Sequence, residues 1–101
     1  MISETPKPPY YAVIFTSTRT KGDKGYEEMA QIMLDLAAKQ PGFLGVESAR
    51  ENIGITVSYW EDLESIQNWK NNAEHSIAKG KGKSTWYKTF KTRIAKVERD
   101  Y

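Results

Sequence analysis

One histidine stands among large aromatic residues in the second half of this 101-residue chain: Tyr59-Trp60, Trp69, His75 and Trp86-Tyr87. His75 is the natural candidate for proton chemistry, because imidazole has its ordinary pKa near neutrality. The aromatics offer apolar walls, and an apolar pocket with few polar groups is the usual form of a small-molecule site. Arg93 adds a permanent cation that either faces an acid on a neighbouring strand or reaches an anionic or phenolic ligand. The set points to binding of a small molecule with a base beside it.

Each of these residues also has a purely structural use. Trp69 is in register with Leu63 and Ile66, which makes it a core residue. Tyr59 and Trp60 are adjacent on a strand, so one packs under the helices while the other faces outward, and Trp86-Tyr87 split in the same way. His75 can cap a helix or bond a backbone carbonyl. Other chemistries find little support. The chain has no cysteine, which removes disulfides, a thiol nucleophile and iron–sulfur ligation and fits a reducing cytoplasm. One histidine without cysteine makes no zinc site of the usual kind. No nucleophilic triad or paired carboxylates stand out.

The segment Lys79–Ser84 reads KGKGKS and ends like a phosphate-binding loop. That loop needs G-x-x-x-x-G-K-[ST] between a strand and a helix. Its first glycine would fall at position 77, which is Ile77, and the segment leaves a helical pattern for a strand-like one. It is a basic connection. A net charge of +2 argues against a nucleic-acid partner, and the lysines and arginine from Lys79 to Arg93 form a solvated rim. No apolar run approaches the ~20 residues of a membrane span, and the start, MISETPKPPYY, lacks a signal peptide's basic and apolar regions. A hydrophobic content of 39% is that of a globular chain, with residues 1–8 as an extended segment and 9–101 as one domain.

The elements follow from periodicity. Three prolines keep residues 6–9 extended. YYAVIFTST places Tyr11, Val13 and Phe15 on one face and Ala12, Ile14 and Thr16 on the other, a strand covered on both sides. Gly22 and Gly25 bracket a turn. Tyr26, Met29, Met33, Leu36 and Ala37, with Ile32 beside them, form a helical stripe that ends at Gln40-Pro41-Gly42. FLGVESARE and ITVSYW make an antiparallel hairpin. Glu61-Asp62 begin a helix whose face is Leu63, Ile66 and Trp69, with NNAEHSIAKG as a further short helix. The last strand, from Trp86 to Glu98, has Phe90, Thr92 and Ile94 on one face and then Val97, which predicts a bulge near Ala95. The order is β-α-β-β-α-β, a ferredoxin-like α+β fold with two helices on one face of a four-stranded antiparallel sheet. The predicted site residues would converge between helices and sheet, and the other face needs a cover, for which a second copy is the economical choice.

VSYWEDLESIQNWKNNAEH…GK…WYKTFKTRIAKVERDY, together with KQPGFLGVES, resembles the antibiotic biosynthesis monooxygenase domain family, of dimeric α/β-barrel fold. The resemblance implies a homodimer that oxidises a small aromatic, phenolic compound with O2 and neither metal nor flavin. In that chemistry His75 would be the base and Arg93 would stabilise the phenolate. Trp60, Trp69 and Trp86, with Tyr59 and Tyr87, would bind the substrate. Other members of the family degrade haem, using an asparagine on the first strand, a helical tryptophan and a later histidine. YYAVIFTST has no asparagine, and His75 follows Trp69 too closely, so haem breakdown is not implied here, while haem binding through His75 stays open. Further members have no demonstrated reaction, and a non-catalytic, small-molecule-binding stress protein is the alternative.

Overall fold

The computed structural model describes residues 2–20, 26–80 and 87–101, with the side chains of 26 and 75–80 outside the description. Its elements are β1 (Tyr10–Arg19), α1 (Tyr26–Ala38), β2 (Phe43–Arg50), β3 (Gly54–Trp60), α2 (Leu63–Gly80) and β4 (Tyr87–Val97). The strands form one antiparallel sheet in the order β2-β3-β1-β4. This is the predicted ferredoxin-like arrangement: each helix crosses over one strand to reach the next strand but one. Gly22, Gly25, Trp86 and the Lys81–Ser84 part of the KGKGKS segment lie outside the described residues.

Strand alternation sorts the side chains into two faces. Val13 lies opposite Ser58 on β3 and Ile94 on β4, and Tyr11 lies opposite Trp60. These rows face the helices, because Tyr11, Val13, Phe43 and Trp69 pack around a core of Ala37, Trp60 and Ile66. Ala12, Ile14, Val57, Tyr59 and Arg93 belong to the opposite face.

Helix ends follow from local chemistry. Asp62 caps α2 by accepting the Ser65 N–H at 2.8 Å, which holds its carboxyl below the usual range and complements the positive end of the helix. After α1, Gly42 takes φ +85°, the left-handed region that disfavours a side chain. A Cβ there would fall on the Ser65 hydroxyl, so the turn and the α2 cap are packed as one unit.

Three details differ from the sequence reading. α2 is a single helix through Asn71-Asn72, because those amides satisfy the helix rather than break it. Asn72 donates to the Asn68 carbonyl at 3.1 Å and Gln67 donates to Asn71 at 3.1 Å. The irregularity in β4 lies opposite Thr18/Arg19, near Tyr87, and the pairing through Ala95 is regular. Val97 breaks the apolar alternation because it packs on the other face, opposite Tyr10. Leu63 is 54% exposed, so the buried stripe of α2 begins at Ile66.

Candidate functional site

Trp60 closes β3 and is fully buried, 0% exposed. Its indole N–H donates to the Ser58 hydroxyl at 2.9 Å, and Phe43 meets it edge-on at 5.4 Å. Trp69 stacks on it from α2, with centroids 6.1 Å apart and planes 21° apart. With no surface of its own left, Trp60 supports Trp69 and cannot itself touch a ligand. Trp69 is half-buried and can.

A second aromatic group lies at the opposite end of the same face. Phe15, Tyr87 and Phe90 contact one another at 5.2, 5.8 and 6.1 Å. Tyr11 is opposite Trp60 and Arg19 opposite Tyr87. Eight residues of strand therefore separate the Trp60 row from the Tyr87 row, about 27 Å at ~3.4 Å per residue, with Phe15 midway between them. Trp60 and Tyr87 do not share a pocket wall. Helix packing concentrates on β2 and β3, and on the helix side of β4 Phe90 is 46% and Ile94 53% exposed. α2 starts beside Trp60 and runs back along the sheet. Position 75 is twelve residues past Leu63, about 18 Å along the axis at ~1.5 Å per residue, level with the Phe15 and Ser17 rows. The backbone at His75 thus lies at the height of that aromatic group along the strands.

Tyr59 and Arg93 are on the other face. Tyr59 donates to Glu47 at 2.6 Å, and that hydrogen bond, aided by burial, pushes its phenol up to about 12. The Tyr59 hydroxyl and the Ser3 N–H at 2.9 Å hold the Glu47 carboxyl below its ordinary value. Tyr10 meets Tyr59 edge-on at 5.9 Å and donates to Asp100 at 2.6 Å, a bond that raises its pKa. This network ties residues 3–10 and the C-terminal end across one end of that face. A phenol so strongly protonated is a clasp and not an acid–base group near neutrality. Arg93 is exposed, opposite Ile14.

The sequence reading placed Phe15 and Phe90 only as strand residues and did not include them, or Arg50, in the site. Arg50 ends β2 and reaches across Gly54 to β1, where its Nη2 donates to the Ser17 hydroxyl. The signals were present: Phe15 and Phe90 fall on the helix-side alternation, and glycine at 54 leaves room for a long neighbour. Among the described residues no cluster of three or more metal-ligating side chains occurs, and no helix is long and apolar enough to cross a membrane.

The family model for antibiotic biosynthesis monooxygenase matches residues 9–81. The chain belongs to that family. It is 55% identical over 100 residues to the uncharacterized protein YqjZ of Bacillus subtilis (strain 168), covering 97% of this chain and 88% of that protein. The fold is similar to that of SnoaB, a cofactor-independent oxygenase from Streptomyces nogalater, with TM-score 0.70, 13% identity, and 92% of this chain and 97% of that one covered. It is also similar to a variant of MhuD solved with two manganese protoporphyrin IX bound per active site, with TM-score 0.68, 22% identity, and 90% and 97% covered. At these identities the structural likeness carries the fold. Within the monooxygenase family match lie β1, both helices and the hairpin, while β4 with Tyr87, Phe90 and Arg93 falls beyond it.

Proposed function

We infer that the chain is a cofactor-independent monooxygenase that oxidises a small phenolic aromatic compound with O2, between α2 and the helix-side face of β1 and β4. The observation that carries this reading is the Phe15–Tyr87–Phe90 group, left partly open on the side of the sheet that a core would normally fill. Edge-to-face and offset contacts are what such rings offer an aromatic guest. Family membership and the fold shared with SnoaB support the same reading.

The chemistry belongs largely to the substrate. His75 removes a proton from the phenol or its benzylic carbon, giving an electron-rich anion. The anion passes one electron to dioxygen, and the radical pair combines to form a carbon–oxygen bond. The resulting peroxide loses water and leaves a carbonyl, so one oxygen atom enters the product and the other leaves as water. The protein contributes orientation, exclusion of water and the base. Trp69, backed by Trp60, and Tyr87 act at the two ends of this face, and Trp86 precedes Tyr87.

The active form is proposed to be a cytoplasmic homodimer. The face away from the helices exposes Ile55 to 45%, with Ile14 and Val57 beside it in the rows, and a second copy would cover it. Tyr59 and Arg93 then belong to that contact and not to the pocket.

Oxygen uptake with a panel of anthrones, quinols and catechols tests the activity, and His75→Ala tests the base. The variant should lose about 10²–10⁴ in rate at unchanged melting temperature. Loss of stability with unaltered turnover would remove His75 from the site. A Soret band on adding haemin, lost in the same variant, would instead favour the haem-binding alternative.

A further inference from the structure

Hydroxyl groups line the helix side of β2 and β3, where a sheet face packed on a core is normally apolar. Ser48 and Thr56 are directly opposed across the two strands, and their hydroxyls share a hydrogen bond of 2.9 Å. Ser58, two residues along β3, accepts the Trp60 indole N–H at 2.9 Å. Trp60 belongs to the helix-side core, and alternate residues of a strand share a face, so all three hydroxyls are on that side. Across the sheet the same rows turn apolar, with Phe15 opposite Thr56 and Val13 opposite Ser58 on β1. Ser48 is exposed, and Thr56 and Ser58 are half-buried. The strip is not sealed under the helices.

We propose that Thr56, Ser48 and Ser58 are the polar subsite of this face: they bind a neutral oxygen on the aromatic ring, a carbonyl or a phenol hydroxyl, and so set which edge of the ring lies against β3. The ring rests on Phe15, and its oxygen meets the Thr56–Ser48 pair one strand spacing away. Directly opposed residues are about 5 Å apart at Cα, which matches the reach from a bound ring to a substituent on it. A hydroxyl offers one donor and two acceptor sites, so a bond between two hydroxyls leaves one proton and three lone pairs over. Ser58 accepts from Trp60 and keeps its own proton to donate. The strip can therefore donate to a carbonyl or accept from a phenol, and it carries no charge that would favour an anion. Trp60 is enclosed and holds Ser58 in place, which lowers the entropy cost of binding. With the oxygen-bearing edge against β3, the opposite edge lies towards β4 and is left for the reaction proposed above.

The assignment rests on the location of the proposed oxygenase site, but not on its reaction. Its test therefore uses unreactive probes. Titrations followed by backbone amide NMR compare 2-acetylnaphthalene with 2-ethylnaphthalene, which have the same ring and nearly the same size but differ in the carbonyl. The ketone should move the amide signals of Ser48, Thr56 and Ser58 more than the hydrocarbon does. Thr56→Val keeps the shape of the side chain and removes its hydroxyl. It should lower the ketone-to-hydrocarbon affinity ratio roughly 3–10-fold, the worth of a neutral hydrogen bond, with the hydrocarbon's own affinity unchanged. Thr56→Ser should keep the wild-type ratio, and Ser48→Ala should lower it in the direction of Thr56→Val. Phe15→Ala should weaken both probes alike. A hydroxyl pair that only ties β2 to β3 would lower the melting temperature on substitution and leave the ratio intact, which overturns the proposal. Ketone binding that leaves the Ser48, Thr56 and Ser58 signals in place overturns it without any variant. Carbonyl discrimination without oxygen uptake would sink the oxygenase and leave the subsite standing, while oxygen uptake with an unmoved ratio would do the reverse.

Discussion

Trp60 and Trp69 stack at 6.1 Å, joining the last residue of β3 to the middle of α2 across the Asp62 cap. The pair ties the first turns of α2 to the end of β3 and to the core of Ala37 and Ile66. Because Trp60 is wholly enclosed, Trp60→Ala should cost about 3–5 kcal/mol, read from the urea midpoint. Trp69→Phe keeps a ring in the stack and should cost less.

Gly42 is predicted to resist substitution. Gly42→Ala demands a left-handed backbone from a residue with a Cβ and drives that Cβ into the Ser65 hydroxyl. The backbone term alone is of order 1–3 kcal/mol. Adding Ser65→Ala should recover only the steric part, so chemical denaturation of single and double variants separates the two contributions.

The Tyr59–Glu47 clasp predicts two pH limits. Tyr59 titrates at about 12 in the folded chain, above its unfolded value near 10. Its contribution is complete below that unfolded value and is lost as pH rises through the folded one. Glu47 is shifted downward. Its contribution is present above the ordinary glutamate pKa and is lost as pH falls through the depressed one. Melting temperatures of Tyr59→Phe should therefore fall less steeply than wild type between pH 10 and 12. A parallel decline would mean the phenol is not held by Glu47.

Dimerisation is predicted to depend on the face away from the helices. Ile55→Asp should shift light scattering from a dimer towards 11.6 kDa while circular dichroism stays native. A wild-type protein already at the monomer mass would remove the second copy from the account.

The fold was legible because most elements carry a clear apolar period. Tyr11, Val13 and Phe15 alternate cleanly, and the Ala37 and Ile66 stripes are helical. The candidate site was legible only in part. Adjacent strand residues point to opposite faces, so a sequence cluster such as Tyr59-Trp60 is divided by the pleat. Trp60 and Tyr87 share a face but stand at opposite ends of it, a separation fixed by register across β1, which no local pattern encodes. Arg50 was hidden for a similar reason, since its partner Ser17 is 33 residues away in the chain.

The central claim is that the helix-side face binds a phenolic ring and brings it to react with dioxygen unaided by metal or flavin. The most direct measurement is anthrone oxidation under isotopically heavy dioxygen, by chelator-treated protein, followed by mass spectrometry of the product. The account predicts uptake well above the spontaneous rate, one labelled oxygen in the quinone, and a large loss of rate in His75→Ala. Saturable binding of anthrone, seen as quenching of tryptophan fluorescence, with uptake no faster than in buffer would contradict it and leave a binding protein in its place.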